Sequence, residues 1–371
     1  MDVDSERLIR RTAELTILNP NNQFSPRRSI DVDTDADNPA DQSLVGYVYL
    51  NRYVKIERGV HLSNKQHIYA PVGIFMIDVA EVIAERNMTI VNLTLSDLAK
   101  RLSKSILKSP FPTDGPYPEG TGYNKIIRDL LDGAGITQGM IGSIDSLSER
   151  ETSEKTISNK LRFERGDSRG EKLKELCDKW DIDIYFNPVG KLVTEDLRSD
   201  KPLPKNSIFT FSTSDQRIPG QGAIVSLTRT LSDDNLFNHL IIIGTKNDKD
   251  PLVLSKKNEG KSRTSIKQIG DRVKFISTDR IGPSDTDKAN KMLEKQWKRR
   301  LHFEETIKID AICIPNLEGN DIITILDDKF TNLNDKNKAP GKTYRIKKFN
   351  VPLVTSKQSF ELVDTVTLDE L

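Results

Sequence analysis

Cysteine is scarce in this 371-residue chain: it has two, Cys177 and Cys313. A disulfide framework and a four-cysteine zinc site are therefore excluded. Two reduced, buried thiols made in a cytosol are the reading that remains. Long apolar runs are missing too. No stretch approaches the roughly 18 consecutive apolar residues of a membrane span, so stable membrane insertion is not expected. The N-terminus, Met1-Asp2-Val3-Asp4-Ser5-Glu6, is acidic and has no apolar signal region, which argues against Sec export. Neither sign of charge dominates, since 56 Lys and Arg against 55 Asp and Glu leave a net charge of +1. A dedicated DNA-binding chain would be basic overall or carry a basic stripe.

Catalytic signatures are also lacking. There is no G-x-S-x-G, no G-x-x-x-x-G-K-[ST] and no G-x-G-x-x-G. The four histidines, His61, His67, His239 and His302, stand at no metal-ligand spacing and read as partly exposed polar residues. The run Asp31 to Asp37 alternates aspartates as a calcium loop does. However, its sixth position is Ala36 rather than Gly and its twelfth is Gln42 rather than Glu, so an acidic, solvated loop is expected. Lys298-Arg299-Arg300 reads as a solvated helix end. No catalytic, cofactor or metal residue is assigned.

What is present is mostly strand pattern. Hydrophobic residues are 36%, enough to build cores, and the length suggests two to three domains at roughly 100–200 residues each. Strand-like runs at 8–18, 45–50, 52–58, 67–84 and 88–95 predict a first β block over 1–95, with residues 19–43 as a long loop. Residues 96–204 predict a helical connection and a small α/β module. Ser96 reads as a helix N-cap, and Tyr123, Ile126, Ile127, Leu130 and Leu131 make a helical stripe. Ser168 and Glu171 make a capping pair for a helix bearing Leu173, Leu176, Cys177 and Trp180, followed by a hairpin at 182–195. From 205 to 371 strands return at 207–212, 222–231, 238–245, 272–277, 303–312, 320–326, 343–350 and 358–366. One long helix at about 284–301 interrupts them, and residues 246–268 read as a charged loop. The fold class is mainly β with an α+β insert: two tube-like β-barrel or sandwich domains plus a small strand–helix–hairpin module.

Four segments in this order carry a resemblance: Arg10-Arg11-Thr12-Ala13-Glu14-Leu15-Thr16-Ile17; Val54 to Gly59 with Pro71-Val72-Gly73-Ile74-Phe75; Asn238 to Gly244 with Arg263 to Arg272; and Pro315-Asn316-Leu317-Glu318-Gly319-Asn320-Asp321-Ile322 with Tyr344 to Leu353. The chain resembles the tail-hub proteins of tailed bacteriophages, the broad family of baseplate hubs, late-control D proteins and minor tail proteins. It departs from the pattern at Asn320, where an aspartate is expected one position earlier than Asp321. No lysozyme-like or peptidase domain is attached, so the resemblance brings no cell-wall activity.

The resemblance implies a structural virion protein of the phage tail, made in the host cytoplasm and not an enzyme. It would form a homotrimeric ring in the tail tip or baseplate that joins the tail tube to distal fibre, spike or plug proteins. Its partners would be itself, the tail tube or distal tail protein, the tape-measure protein and the genomic DNA passing through the lumen during ejection. Two β blocks in each of three chains would match a sixfold tube. The alternatives are the hub of a contractile injection or secretion system, and a tail-associated cell-wall hydrolase.

Overall fold

The computed structural model describes residues 1–20, 24, 52–61, 66–86, 88–144, 155–157, 160–196, 207–213, 221–234, 236–244, 251–277, 286–300, 304–326, 341–354 and 357–364. These residues are mostly strand, with an α+β unit in the middle, as the pattern predicts. The first block holds β1 (Asp2–Asp4), β2 (Arg11–Leu18), β3 (Tyr53–His61), β4 (His67–Glu85) and β5 (Met88–Asp97). The middle holds α1 (Lys100–Lys104), α2 (Tyr123–Asp132), α3 (Arg169–Lys179), β6 (Ile182–Phe186) and β7 (Leu192–Asp196). Then come β8 (Phe209–Ser212), β9 (Gln221–Ser232), β10 (His239–Ile243), β11 (Val253–Lys257), α4 (Ile266–Ile269), β12 (Val273–Ser277) and α5 (Thr286–Arg300). The last strands are β13 (Glu304–Ala311), β14 (Ile322–Leu326), β15 (Gly341–Asn350) and β16 (Gln358–Asp364).

Six of the late strands close a barrel in the order β14-β8-β9-β13-β16-β15, with β15 pairing back to β14. Its interior is filled by inward-pointing alternate residues, among them Phe211, Ile309, Ile323, Ile346 and Leu362, all buried. The Phe211 and Phe360 rings meet at 5.3 Å between centroids.

β15 has two jobs. Its first half, Gly341 to Arg345, closes the barrel on β14, and its last three residues, Lys348 to Asn350, pair instead with β1. From β1 the sheet runs on through β2, β5, β4 and β3 as an open five-stranded extension. One β block is thus a closed barrel, and the other is an open sheet sewn to it. Val3, Val72, Phe75 and Leu93 of the open sheet share one apolar cluster with Ile323, Tyr344 and Phe349 of the barrel.

The middle unit packs on the extension through Met76, Leu98 and Ala99. The α2 stripe is buried as its spacing requires, and Tyr123 stacks on Trp180 at 3.9 Å between ring centroids. Ser168 caps α3 by accepting the Glu171 N–H at 3.4 Å. Leu173, Leu176, Cys177 and Trp180 join Phe163 and the β6–β7 hairpin in the same cluster. A third, small unit is the sheet β11-β10-β12, covered on one face by Ala289, Leu293 and Trp297 of α5.

Several local expectations change. Ser96 is the penultimate residue of β5, and its hydroxyl donates to Asp78. Asp97 turns the chain instead, accepting the Ala99 N–H at 3.0 Å, so the helix starts only at Lys100. The charged loop 246–268 contains a strand, β11, and the helical turn α4. β11 is an edge strand bearing Lys256 and Lys257, a composition that protects edges and hides the strand signal. Cys313 lies beyond the end of β13 and is only half-buried, whereas Cys177 is buried in α3. The acidic run 31–37, the strand-like run 45–50 and His302 lie outside the described residues, as do the side chains of His61 and of Lys298-Arg299-Arg300.

Candidate functional site

The most heavily charged buried region lies where the three main units meet. Arg10 and Arg11 enter at the start of β2, and both are 1% exposed. Asp97, at the end of β5, receives the Arg10 and Arg11 backbone N–H groups on one oxygen, each at 2.9 Å. The Arg10 side chain reaches across to the hairpin, where Nη1 donates to Asp183 Oδ2 at 2.9 Å. Arg11 donates through Nη1 to the Phe186 carbonyl and through Nη2 to Glu318. The barrel contributes the turn Glu318-Gly319-Asn320-Asp321. Asn320 Nδ2 donates to Asp183 at 2.7 Å and to Glu195 at 3.2 Å. Two arginines of the open sheet therefore hold both the hairpin and the barrel turn.

The turn is shaped for this contact. Asn320 sits at φ 73°, a left-handed conformation that Asn tolerates better than most residues. Asp321 Oδ2 accepts the Glu318 N–H at 2.6 Å and closes the turn on itself. Any Cβ on Gly319 would overlap the Arg10 guanidinium. The guanidinium carbon also lies 3.8 Å from the centroid of the Tyr185 ring, so Arg10 fits between an aromatic face and a bare peptide.

Five carboxyls, Asp97, Asp183, Glu195, Glu318 and Asp321, lie around Arg10 and Arg11, and Arg345 also acts on Glu195. Burial is the leading influence on those that shift. Burial pushes Asp97 up to about 6, against the lowering effect of its backbone N–H donors and of Arg11. Asp321 is likewise pushed up to about 6 by burial, with the Glu318 and Glu195 charges adding to it. Glu195 is raised by burial despite its Asn320 hydrogen bond. Burial, with help from Glu195, pushes Tyr185 up to about 12. Chemically this is a clasp, in which the charged groups are hydrogen-bonded to one another across the units.

A second polar group needs comparison with catalytic geometry. His239 Nδ1 faces Asp271 Oδ1 at 3.0 Å, and its Nε2 faces Ser255 Oγ at 3.1 Å. This is the hydrogen-bond order of a Ser-His-Asp triad. Ser255, however, lies on a flat strand whose neighbours on the same face are Val253, Lys257 and Ile241. Sheet N–H groups lie in the plane of the sheet, whereas oxyanion donors must converge above the nucleophile. The adjacent Asn238 has a purely architectural role. Its side chain donates to the Thr264 and Gly270 carbonyls and accepts the Arg272 N–H, tying the 258–272 segment to β10. His239 continues that tie.

Of the other singled-out histidines, His67 stacks on Tyr69 at the open edge of the extension. No group of three or more His, Cys, Asp or Glu that could hold a metal occurs among the described residues. No described helix is long and apolar enough to cross a membrane. The clasp was not anticipated from chemistry, because none of its residues forms a catalytic motif. The available signal was an aspartate inside the otherwise buried run Ile182-Asp183-Ile184. Two of the segments that carry the family resemblance, 10–17 and 315–322, turn out to meet here.

A filled barrel extended by an open sheet, with an α+β module clasped between them, defines the architecture. Among the solved structures with a similar fold are two tail proteins. The tail protein from Neisseria meningitidis MC58 superposes with a TM-score of 0.54 at 14% identity, covering 82% of this chain and 82% of that one. The 43 kDa tail protein of prophage MuSo2 from Shewanella oneidensis superposes with a TM-score of 0.54 at 10% identity, covering 98% of this chain and 92% of that one. No family model matches the chain, and no curated protein matches its sequence. At these identities the likeness is one of fold.

Proposed function

We propose that this chain is a structural protein of a phage tail tip or baseplate: a hub that closes as a homotrimeric ring, joins the tail tube to distal fibre, spike or plug proteins, and surrounds the DNA path. The observation that carries the reading is the end-to-end match of fold with a prophage tail protein, 98% of this chain on 92% of that one. Such breadth rules out a shared small module as the basis of the likeness. The three units proposed for the hub are the β blocks 1–95 and 205–371 and the connection 96–204 between them.

The interior of the barrel supports one refinement. Six strands enclose less space than eight, and eight are just filled by side chains. With Phe211, Ile346 and Phe360 inside, the barrel is a core and not a pore. The DNA path is therefore formed between copies, and polar or acidic strand faces suit it, because a lysine-rich wall would hold phosphates. Native mass spectrometry and negative-stain images of the purified chain test the reading. Closed rings of three chains are expected. Six chains per ring, or a chain that neither closes nor binds a tail tube, would refute it.

A further inference from the structure

Two exposed apolar faces of the chain lie on different units and carry opposite charge. The first is the far end of the ribbon β2-β5-β4. Register sets Leu18 opposite Ile90 and Ile90 opposite Ile83, and Met88 extends the row at the β4–β5 turn. Leu18 is 65% exposed and Met88 43%. Strand alternation puts Glu14, Glu81 and Glu85 on the same face, and all three are exposed, with Arg86 at the turn as the nearby cation. None of these glutamates forms an ion pair with a described residue.

The second face is the side of the β11-β10-β12 sheet that α5 does not cover. Its rows are Val253–Ile243–Ser277 and Ser255–Ile241–Phe275. Phe275 is 62% exposed and Val253 54%. Lys257 ends this face, and the segment after it adds Lys261, Arg263 and Lys267, all exposed, against two acids, Glu259 and the His239 partner Asp271. Contiguous apolar surface with a charged rim marks an association site.

We propose that the ribbon end of one copy seats on the exposed β11-β10-β12 face of the next copy. Leu18, Ile83, Met88 and Ile90 cover Phe275, Ile241 and Val253, and the ribbon glutamates face the cations of 257–267. The match of apolar centre and opposite rim charge selects a second copy of this chain as the occupant. Because the two surfaces differ, the contact is head-to-tail and propagates until a ring closes. This inference rests on the ring reading above and supplies the surfaces that the reading leaves open.

The test uses the full chain with Leu18→Asp on the ribbon or Phe275→Asp on the sheet, both exposed positions, with an unchanged thermal midpoint as the folding control. Each variant alone should be monomeric by native mass. Mixed one to one, they should stop at a dimer, since only one intact ribbon and one intact sheet face remain to pair. Glu81→Lys with Glu85→Lys should weaken self-association at least about tenfold, because like charges across an interface repel. Adding Lys257→Glu and Lys261→Glu to the same chain should restore it. If the wild type forms rings and the variants do so equally, this interface is wrong while the ring reading stands. If the mixture forms full rings, the head-to-tail geometry is wrong. If the wild type stays monomeric at about 100 μM, above the micromolar upper end of ordinary interface affinities, both are overturned.

Discussion

Replacing Arg10 with methionine tests whether the three units are held by charge or merely by apolar contact. Methionine keeps much of the aliphatic stem and removes the guanidinium. Asp183, whose side chain is 4% exposed, would then keep the Asn320 amide at 2.7 Å on its Oδ2 but no cation. Stranding one member of a buried pair costs about 3–5 kcal/mol. The contact with the Tyr185 ring at 3.8 Å is lost in the same step. The loss should fall on the hairpin first, because Arg10 is its ionic link to the open sheet. Amide hydrogen exchange over β6 and β7 reads it directly, and 3–5 kcal/mol corresponds to about two to four powers of ten in the opening equilibrium. The double variant Arg10→Met with Asp183→Asn should recover part of this, with a coupling of about 1–3 kcal/mol. If Arg10→Met changes hairpin exchange by less than about 1 kcal/mol, the pair behaves like an exposed one and the clasp has no energetic meaning.

Further outcomes follow from the same geometry. Asp97 and Asp321 have folded-state values raised from 3.8 to about 6, so their stabilising contribution is complete below about 4 and lost as pH rises through about 6. For Asp97 alone, about two pH units correspond to about 3 kcal/mol, and Asp97→Asn should flatten the fall in denaturation midpoint between pH 4.5 and 7. A wild-type midpoint that climbs steadily across that window would contradict the sign. Gly319→Ala forces its new Cβ into Arg10 and should cost about 1–3 kcal/mol, seen as a lowered melting temperature; no change would mean the turn is not seated on the guanidinium. Trp180→Ala, at a site 2% exposed, should cost about 3–5 kcal/mol, and an unaltered near-ultraviolet dichroism and midpoint would rule out the Tyr123 stack. The Ser255–His239–Asp271 group is expected to be a structural tie. Hydrolysis of an activated ester by the pure chain that disappears in Ser255→Ala would overturn that.

Legibility in the sequence tracked how local the cause was. The α2 stripe, the Ser168 cap and the strands of the barrel declared themselves through 3.6- and 2-residue periods, because each buries one face against whatever lies beneath. β11 did not, since its one inward leucine, Leu254, is followed within the strand by two lysines that an edge strand wants and a loop also uses. Ser96 looked like a cap because capping depends on which side chain reaches the first free N–H, and Asp97 reaches it. The clasp was invisible for a different reason. Arg10, Asp183 and Asn320 are far apart in sequence, and nothing local distinguishes a buried arginine from a solvated one. Only Asp183, set between Ile182 and Ile184 in a buried strand, was out of place by itself.

The clasp also adds a fixed link between the open sheet and the barrel, whose backbone connection is slender. β1 contributes only three residues, of which Asp2 pairs with Asn350 of β15 and Thr12 of β2, and Val3 with Phe349 and Arg11. Three residues of ladder are too few to fix an angle between two sheets, since an isolated short strand pair is marginal in water. The apolar cluster shared by Val3, Phe75 and Phe349 supplies cohesion but no direction. Direction comes from the arginines. Arg11 opens β2 and is itself the partner of Val3, Arg10 is the residue before it, and each is fixed at its backbone by Asp97 before its side chain crosses to another unit. The angle between barrel and extension is therefore set by hydrogen-bond geometry at Arg10 and Arg11, and apolar burial holds it once set. In the proposed ring a subunit meets identical neighbours, and that angle must then be fixed, because an error at the hinge grows along the length of β4.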